Sequence, residues 1–127
     1  MTEMQELEAF ETQVRADAAL RTMLEDMTRS VAAEGESQTL TRVDPLAGLW
    51  LVGVVALWKL AKAGIEHLRG LSELDILAKQ LELVREVQAL GYDAKQATQV
   101  VERLLKGMRT RPNDDPVLKA LLKIVNL

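Results

Sequence analysis

Residues 44–70 read DPLAGLWLVGVVALWKLAKAGIEHLRG, and the way this stretch is buried decides the fold. Asp44 suits a helix N-cap, and Pro45 suits the first helical position, where a missing N–H leaves no bond unmade. From Leu46 to Trp58 thirteen residues follow without a polar side chain. Lys59, Lys62, Glu66 and Arg69 then recur at helical spacing and draw one polar stripe. The pattern predicts a single helix over 44–70, apolar all round in its first half and amphipathic in its second. A strand competes only at Leu49–Val55, which is β-branched in part, and the Asp-Pro start and the length favour helix. Gly53 in the helix interior costs about 1 kcal/mol relative to alanine, so its presence predicts close approach by a neighbouring helix. Gly70 fits the left-handed position that ends a helix.

A helix that is apolar on all sides must be surrounded on all sides. In a chain of 127 residues, five amphipathic helices just enclose one. If they fall short, the surplus surface must meet a second copy or another protein, and the sequence predicts a homo-oligomer or a protein partner on that ground. The seam would then run through Leu49, Trp50, Gly53, Leu57 and Trp58. The same five residues carry the alternative of a membrane-active protein, inserting 46–58 peripherally or as a pore. Thirteen residues span about 20 Å, against a hydrocarbon core of about 30 Å. A single stable span is therefore disfavoured, since the missing length brings in Lys59 and Lys62.

Outward from the centre, amphipathic helices are expected on both sides. Leu7, Phe10 and Val14 share one face of a first helix over residues 3–15. Leu20, Met23, Leu24, Met27 and Val31 share one face of a second, and the offset of the two stripes favours a break or bend at Asp17, a plausible N-cap, over one continuous helix. Residues 1–34 thus form an acidic helical arm, and the aperiodic GESQTLTRV at 35–43 is a linker. Residues 44–127 form the helical core. After Gly70, Ser72-Glu73-Leu74-Asp75 is a loose capping box, with Asp where Glu is usual. The helix it opens is expected to bury Leu74, Leu77, Leu81, Val84 and Val87. Asp93 starts another helix, with Ala97, Val100, Val101, Leu104, Leu105 and Met108 inside. Asp115-Pro116 starts the last, carrying Val117, Leu118, Leu121, Leu122 and Val125. The fold class is all-α, a compact bundle of about six helices around the central one.

Within residues 80–127, Ala89-Leu90-Gly91-Tyr92, Asp93, Gln96-Ala97 and Val100-Val101 are followed by a polar turn and a helix with Leu118, Leu121 and Leu122. This run resembles a UBA-like three-helix module, of the kind found as the third domain of the branch-migration protein RuvA. Leu-Gly-Tyr stands where such modules carry Met-Gly-Phe, and glycine lets the chain turn sharply there. The resemblance implies protein binding rather than catalysis, with Leu90, Gly91, Tyr92, Leu121 and Leu122 as the docking patch. It does not extend to the DNA-binding domains of RuvA, so it implies no branch-migration role.

Composition narrows the chemistry. The chain has no cysteine, which removes disulfides, thiolate nucleophiles and cysteine-based metal sites and fits a reducing, cytoplasmic setting. The acidic start (Glu3, Glu6, Glu8) predicts no secretion leader. His67, the single histidine, has no ligand or nucleophile partner at useful spacing and reads as a cation near a helix C-terminus. Glu82 and Glu86 lie among Lys79 and Arg85 and read as a solvated face. With no phosphate loop or hydrolase motif either, the sequence predicts a non-enzyme with no cofactor and no metal. Residues 1–44 carry ten acidic and four basic residues, and residues 94–127 carry three acidic and seven basic. The basic end admits weak nucleic-acid binding as a second alternative. Docking of the acidic helices onto a basic surface explains the same charges. The leading expectation is a non-enzymatic helical interaction or adaptor module that self-associates.

Overall fold

In the computed structural model, residues 2–34, 45–89, 91, 93–112 and 114–125 are described. Among them are seven helices and no strand: α1 (Glu3–Ala16), α2 (Ala18–Glu34), α3 (Pro45–Ala63), α4 (Ile65–Arg69), α5 (Glu73–Gln88), α6 (Ala94–Thr110) and α7 (Pro116–Val125). The expected linker at 35–43 and the Asp44 cap lie outside the described residues.

Local sequence explains most of the boundaries. Thr2 caps α1, accepting the Gln5 N–H while the Gln5 side chain accepts the Thr2 N–H, a complete capping box. The break expected at Asp17 is present: its backbone is extended, and its carboxylate accepts the Leu20 N–H at 3.0 Å to open α2. Ser72 opens α5 by accepting the Asp75 N–H, and its own hydroxyl donates to the Asp75 carboxylate at 3.0 Å. Asp93 opens α6 and Asp115 opens α7 in the same manner.

The central stretch departs from expectation at one residue. It is not one helix over 44–70, because Gly64, at φ 98° and ψ 114°, ends α3 and starts α4. A Cβ there would meet only His67 Cβ at 3.7 Å, so the position wants glycine for its backbone and not for space. The turn re-aims Ile65 and Leu68, which α4 buries against α6. Gly70, expected in the left-handed region, sits at φ −90° and ends α4 with an ordinary right-handed turn.

Around α3 the bundle closes. α2 and α6 are its main neighbours, with α1, α4, α5 and α7 completing the shell. One core contains Phe10 and Val14 from α1, Leu20, Leu24 and Val31 from α2, and the buried residues of every later helix. At Gly53 α2 comes close: an added Cβ would lie 3.2 Å from Leu24 Cδ2 and 3.3 Å from Met27 Cε. The close approach read from Gly53 is therefore present, and α2 makes it.

Two arginines exchange contacts across the turn between α4 and α5. Arg69 Nη1 donates to the Met108 carbonyl at 2.7 Å, and Arg109 Nη2 donates to the Leu71 carbonyl at 2.8 Å. The Met108 carbonyl lies in the last turn of α6, where no intrahelical N–H reaches it. This pair latches the start of α5 to the end of α6.

Candidate functional site

The residues expected to form a seam or a membrane anchor lie inside the chain's own core. Leu49, Trp50, Gly53, Leu57 and Trp58 are all buried. The two tryptophans are roofed by cations: the Arg15 guanidinium lies 4.8 Å from the Trp50 ring centre, and Lys62 Nζ lies 4.3 Å from that of Trp58. Trp50 Nε1 is buried without an acceptor. Lys59, beside Trp58, pairs with Glu3 of α1 at 3.3 Å. Among the described side chains of the apolar run in α3, only Leu51 is large and exposed, at 42%. No helix among the described residues is long and apolar enough to cross a membrane.

The docking patch implied by the UBA-like resemblance is only partly described. Leu90 and Tyr92 lie outside the described residues. Gly91 makes the expected sharp turn at φ 98°. Leu121 is fully buried, while Leu122 is 39% exposed on α7. Leu122 borders a cleft of about 500 Å³ between α4 and α7, with Ile65 and Leu118 as apolar lining and Glu66 and Arg69 as charged lining. α5 packs on α6, while α7 packs chiefly on α2 and α3.

α5 overturns an expectation and supplies the most distinctive surface. Leu74, Leu77 and Leu81, expected in the core, are 79%, 60% and 54% exposed. Val84 and Val87 are buried as expected, but Ile76 and Leu83 join them in place of the three leucines. The reason lies on the helix surface. Leu74, Leu77 and Leu81 fall at i, i+3 and i+7, one continuous ridge, and Ile76, Leu83 and Val87 fall at i, i+7 and i+11, a second stripe about 130° around the helix. Both faces of α5 are apolar, and α3 and α6 take only one. The signal that finds this in the sequence is the pair of stripes in ELDILAKQLELVREVQ, which share Val84 at their margin.

The flanks of the ridge are acidic. Glu73, Asp75, Glu82 and Glu86 stand on α5 against Lys79 and Arg85, and Lys79 is engaged with Glu82 at 3.6 Å. Cations concentrate elsewhere. Arg103 reaches Ser30, Arg109 serves the latch, and Arg111 grips both oxygens of Asp115 at 3.2 Å. Lys106, Lys119 and Lys123 are exposed.

Two further features are ordinary. A groove of about 220 Å³ between α2 and α6 is lined by Met23, Met27 and Met108 with Arg103 and Arg111, whose cationic groups already have protein partners. No group of three His, Asp or Glu among the described residues is placed to hold a metal, and His67 is exposed on α4. The arrangement can bury apolar surface on a partner and screen it with charge. Compared with protein-family models, with curated proteins and with solved structures, the chain matches none.

Proposed function

We propose that the protein is a non-enzymatic helical interaction module, cytoplasmic in setting, that docks a protein partner through the leucine ridge of α5. One observation carries the reading: three leucines in a row on one helix face are left in solvent by a bundle that buries most of the described apolar side chains of α3. Single exposed leucines are normal, but an aligned set on a rigid helix is an anchor for a partner. From their exposures of 79%, 60% and 54%, burying the three would release on the order of 3–6 kcal/mol, at about 1.5–3 kcal/mol per leucine. Association costs at least about 4 kcal/mol, so the ridge needs its charged flanks and neighbouring surface to hold a partner.

The UBA-like resemblance supports the same class of role through Gly91 and Leu122, and the two surfaces lie on different helices of one module. Membrane insertion through 46–58 is the weaker reading, because the described side chains of that run, Leu51 apart, must first leave the core.

The test places a photo-cross-linking residue at Leu77 and, as control, at Arg29 on the exposed side of α2, in the cells that make the protein. A discrete adduct from position 77, absent from position 29, is the expected result. A smear common to both positions, or no adduct at 77, overturns the reading.

A further inference from the structure

We infer that the partner of the α5 ridge is a second copy of this chain, which receives it in the cleft between α4 and α7. This deepens the reading above and rests on it: the ridge must be a docking surface before its occupant has meaning.

Two surfaces of one molecule match in shape and in charge. The ridge is convex and apolar, with four acidic residues against two basic on α5. The cleft is concave, about 500 Å³, with Ile65, Leu118 and Leu122 supplying the apolar lining. That volume falls in the range of clefts that enclose several side chains. Its surroundings are basic. Arg69 is in the lining, and Lys119 and Lys123 stand exposed beside Leu122 on α7, one turn before it and next to it. Glu66 is the acid of the lining, and Arg85 follows Leu81 by one turn on the ridge, so the minority charges are also opposite in sign.

The same charges argue against the simplest symmetric dimer. Ridge against ridge would complete the apolar seam, but it would also bring two acid-rich flanks together, at a cost in like-charge repulsion. Within a single chain the ridge points into solvent, with Leu74 at 79% exposure, so it does not fill its own cleft. The contact must therefore join different patches on two molecules. A contact of that kind is head-to-tail: each copy keeps a ridge and a cleft, and growth stops only if the rotation closes a ring.

Complementation between two variants tests this geometry directly. Leu77→Glu spoils the ridge and leaves the cleft intact. Leu122→Glu spoils the cleft and leaves the ridge intact. Light scattering of the full chain over a concentration series should show wild type rising past twice its 14.1 kDa, and each variant alone remaining at 14.1 kDa. An equimolar mixture of the two variants should form a one-to-one complex, because one intact ridge still meets one intact cleft. Circular dichroism checks that both variants fold. Should Leu122→Glu lose helix, the exposed pair Lys119→Glu with Lys123→Glu carries the cleft arm, and its self-association should fall at least tenfold.

A wild type that stays monomeric throughout overturns the inference. So does a silent mixture, or a dimer abolished by Leu77→Glu and untouched by both cleft variants, which is the signature of ridge against ridge. Failure here is separable from failure of the docking ridge itself. A discrete Leu77 adduct to a different protein sinks the second copy and keeps the ridge, whereas no adduct at all sinks both.

Discussion

α3 and α5 are the two helices with more apolar surface than one face can carry, and the bundle treats them oppositely. α3 is apolar all round over its first half, and six neighbours pack around it, leaving only Leu51 substantially open among its described large apolar side chains. α5 carries two apolar stripes about 130° apart around its axis and receives neighbours on one. The difference lies in position. α3 follows two long helices and precedes four more, so it is the element that all others can reach. α5 sits at the margin against α3 and α6, and no other helix among the described residues lies over its outer side. Total hydrophobicity therefore ranks the two helices in the wrong order for function. The more apolar helix is ordinary core, and the more polar one keeps an exposed row of leucines.

The sharpest way to break this contrast is to cut the same side chain from each helix. Leu57 is fully buried at the centre of α3. Leu57→Ala should lower the unfolding free energy by about 2–5 kcal/mol, the range for leucine truncations that leave a cavity. Urea denaturation reads it, and a loss below about 1 kcal/mol would mean that α3 is less enclosed than its burial indicates.

Gly53 tests the tightness of the same helix from the other direction. Its α2 neighbours lie at 3.2 and 3.3 Å from an added Cβ, yet both are the mobile ends of flexible side chains. Alanine should be accommodated, its gain in helix propensity offsetting small shifts of Leu24 and Met27. Leucine should not be: Gly53→Leu should cost about 1–3 kcal/mol by overpacking the α2–α3 contact. An unchanged denaturation midpoint in Gly53→Leu would show that α2 moves off α3 without loss.

Gly53 and Gly64 also show what was legible in the chain and what was not. Both fall inside the single helix expected over 44–70, where each carries the same local cost. Gly53 reads correctly as a close approach. Gly64 escapes notice as a break, because only the placement of α6, which receives Ile65 and Leu68, makes a turn there favourable. The all-α bundle, the caps at Asp17, Ser72 and Asp93 and the core of α6 were legible, since each depends on residues within one or two turns. The outward face of α5 was not. Leu74, Leu77 and Leu81 outnumber Ile76 and Leu83, and counting leucines picks the wrong side. Tertiary fit decides it, through the latch in which Arg69 and Arg109 fix the start of α5 against the end of α6. Of the implied UBA-like patch, Leu121 is closed to a partner by its own fold, and no helical period could have distinguished it from its exposed neighbour Leu122.

The smallest expected effect is the most informative about function. Leu77 is 60% exposed, and its truncation opens no cavity. In dilute solution, where copies do not meet, Leu77→Ala should change the unfolding free energy by no more than about 0.5 kcal/mol, as surface substitutions do. Set beside Leu57→Ala, the same chemical change then differs severalfold in effect between two helices of one bundle. The comparison becomes sharper with concentration. Anything that binds the folded chain stabilises it by mass action, so a ridge that docks makes stability rise with occupancy. Wild type should therefore gain in melting temperature as concentration rises, and Leu77→Ala should gain less. If the two curves run parallel, Leu77 contributes nothing to association. If Leu77→Ala is strongly destabilised even at high dilution, α5 uses both of its faces for folding, and the distinction between the enclosed helix and the marginal one is lost.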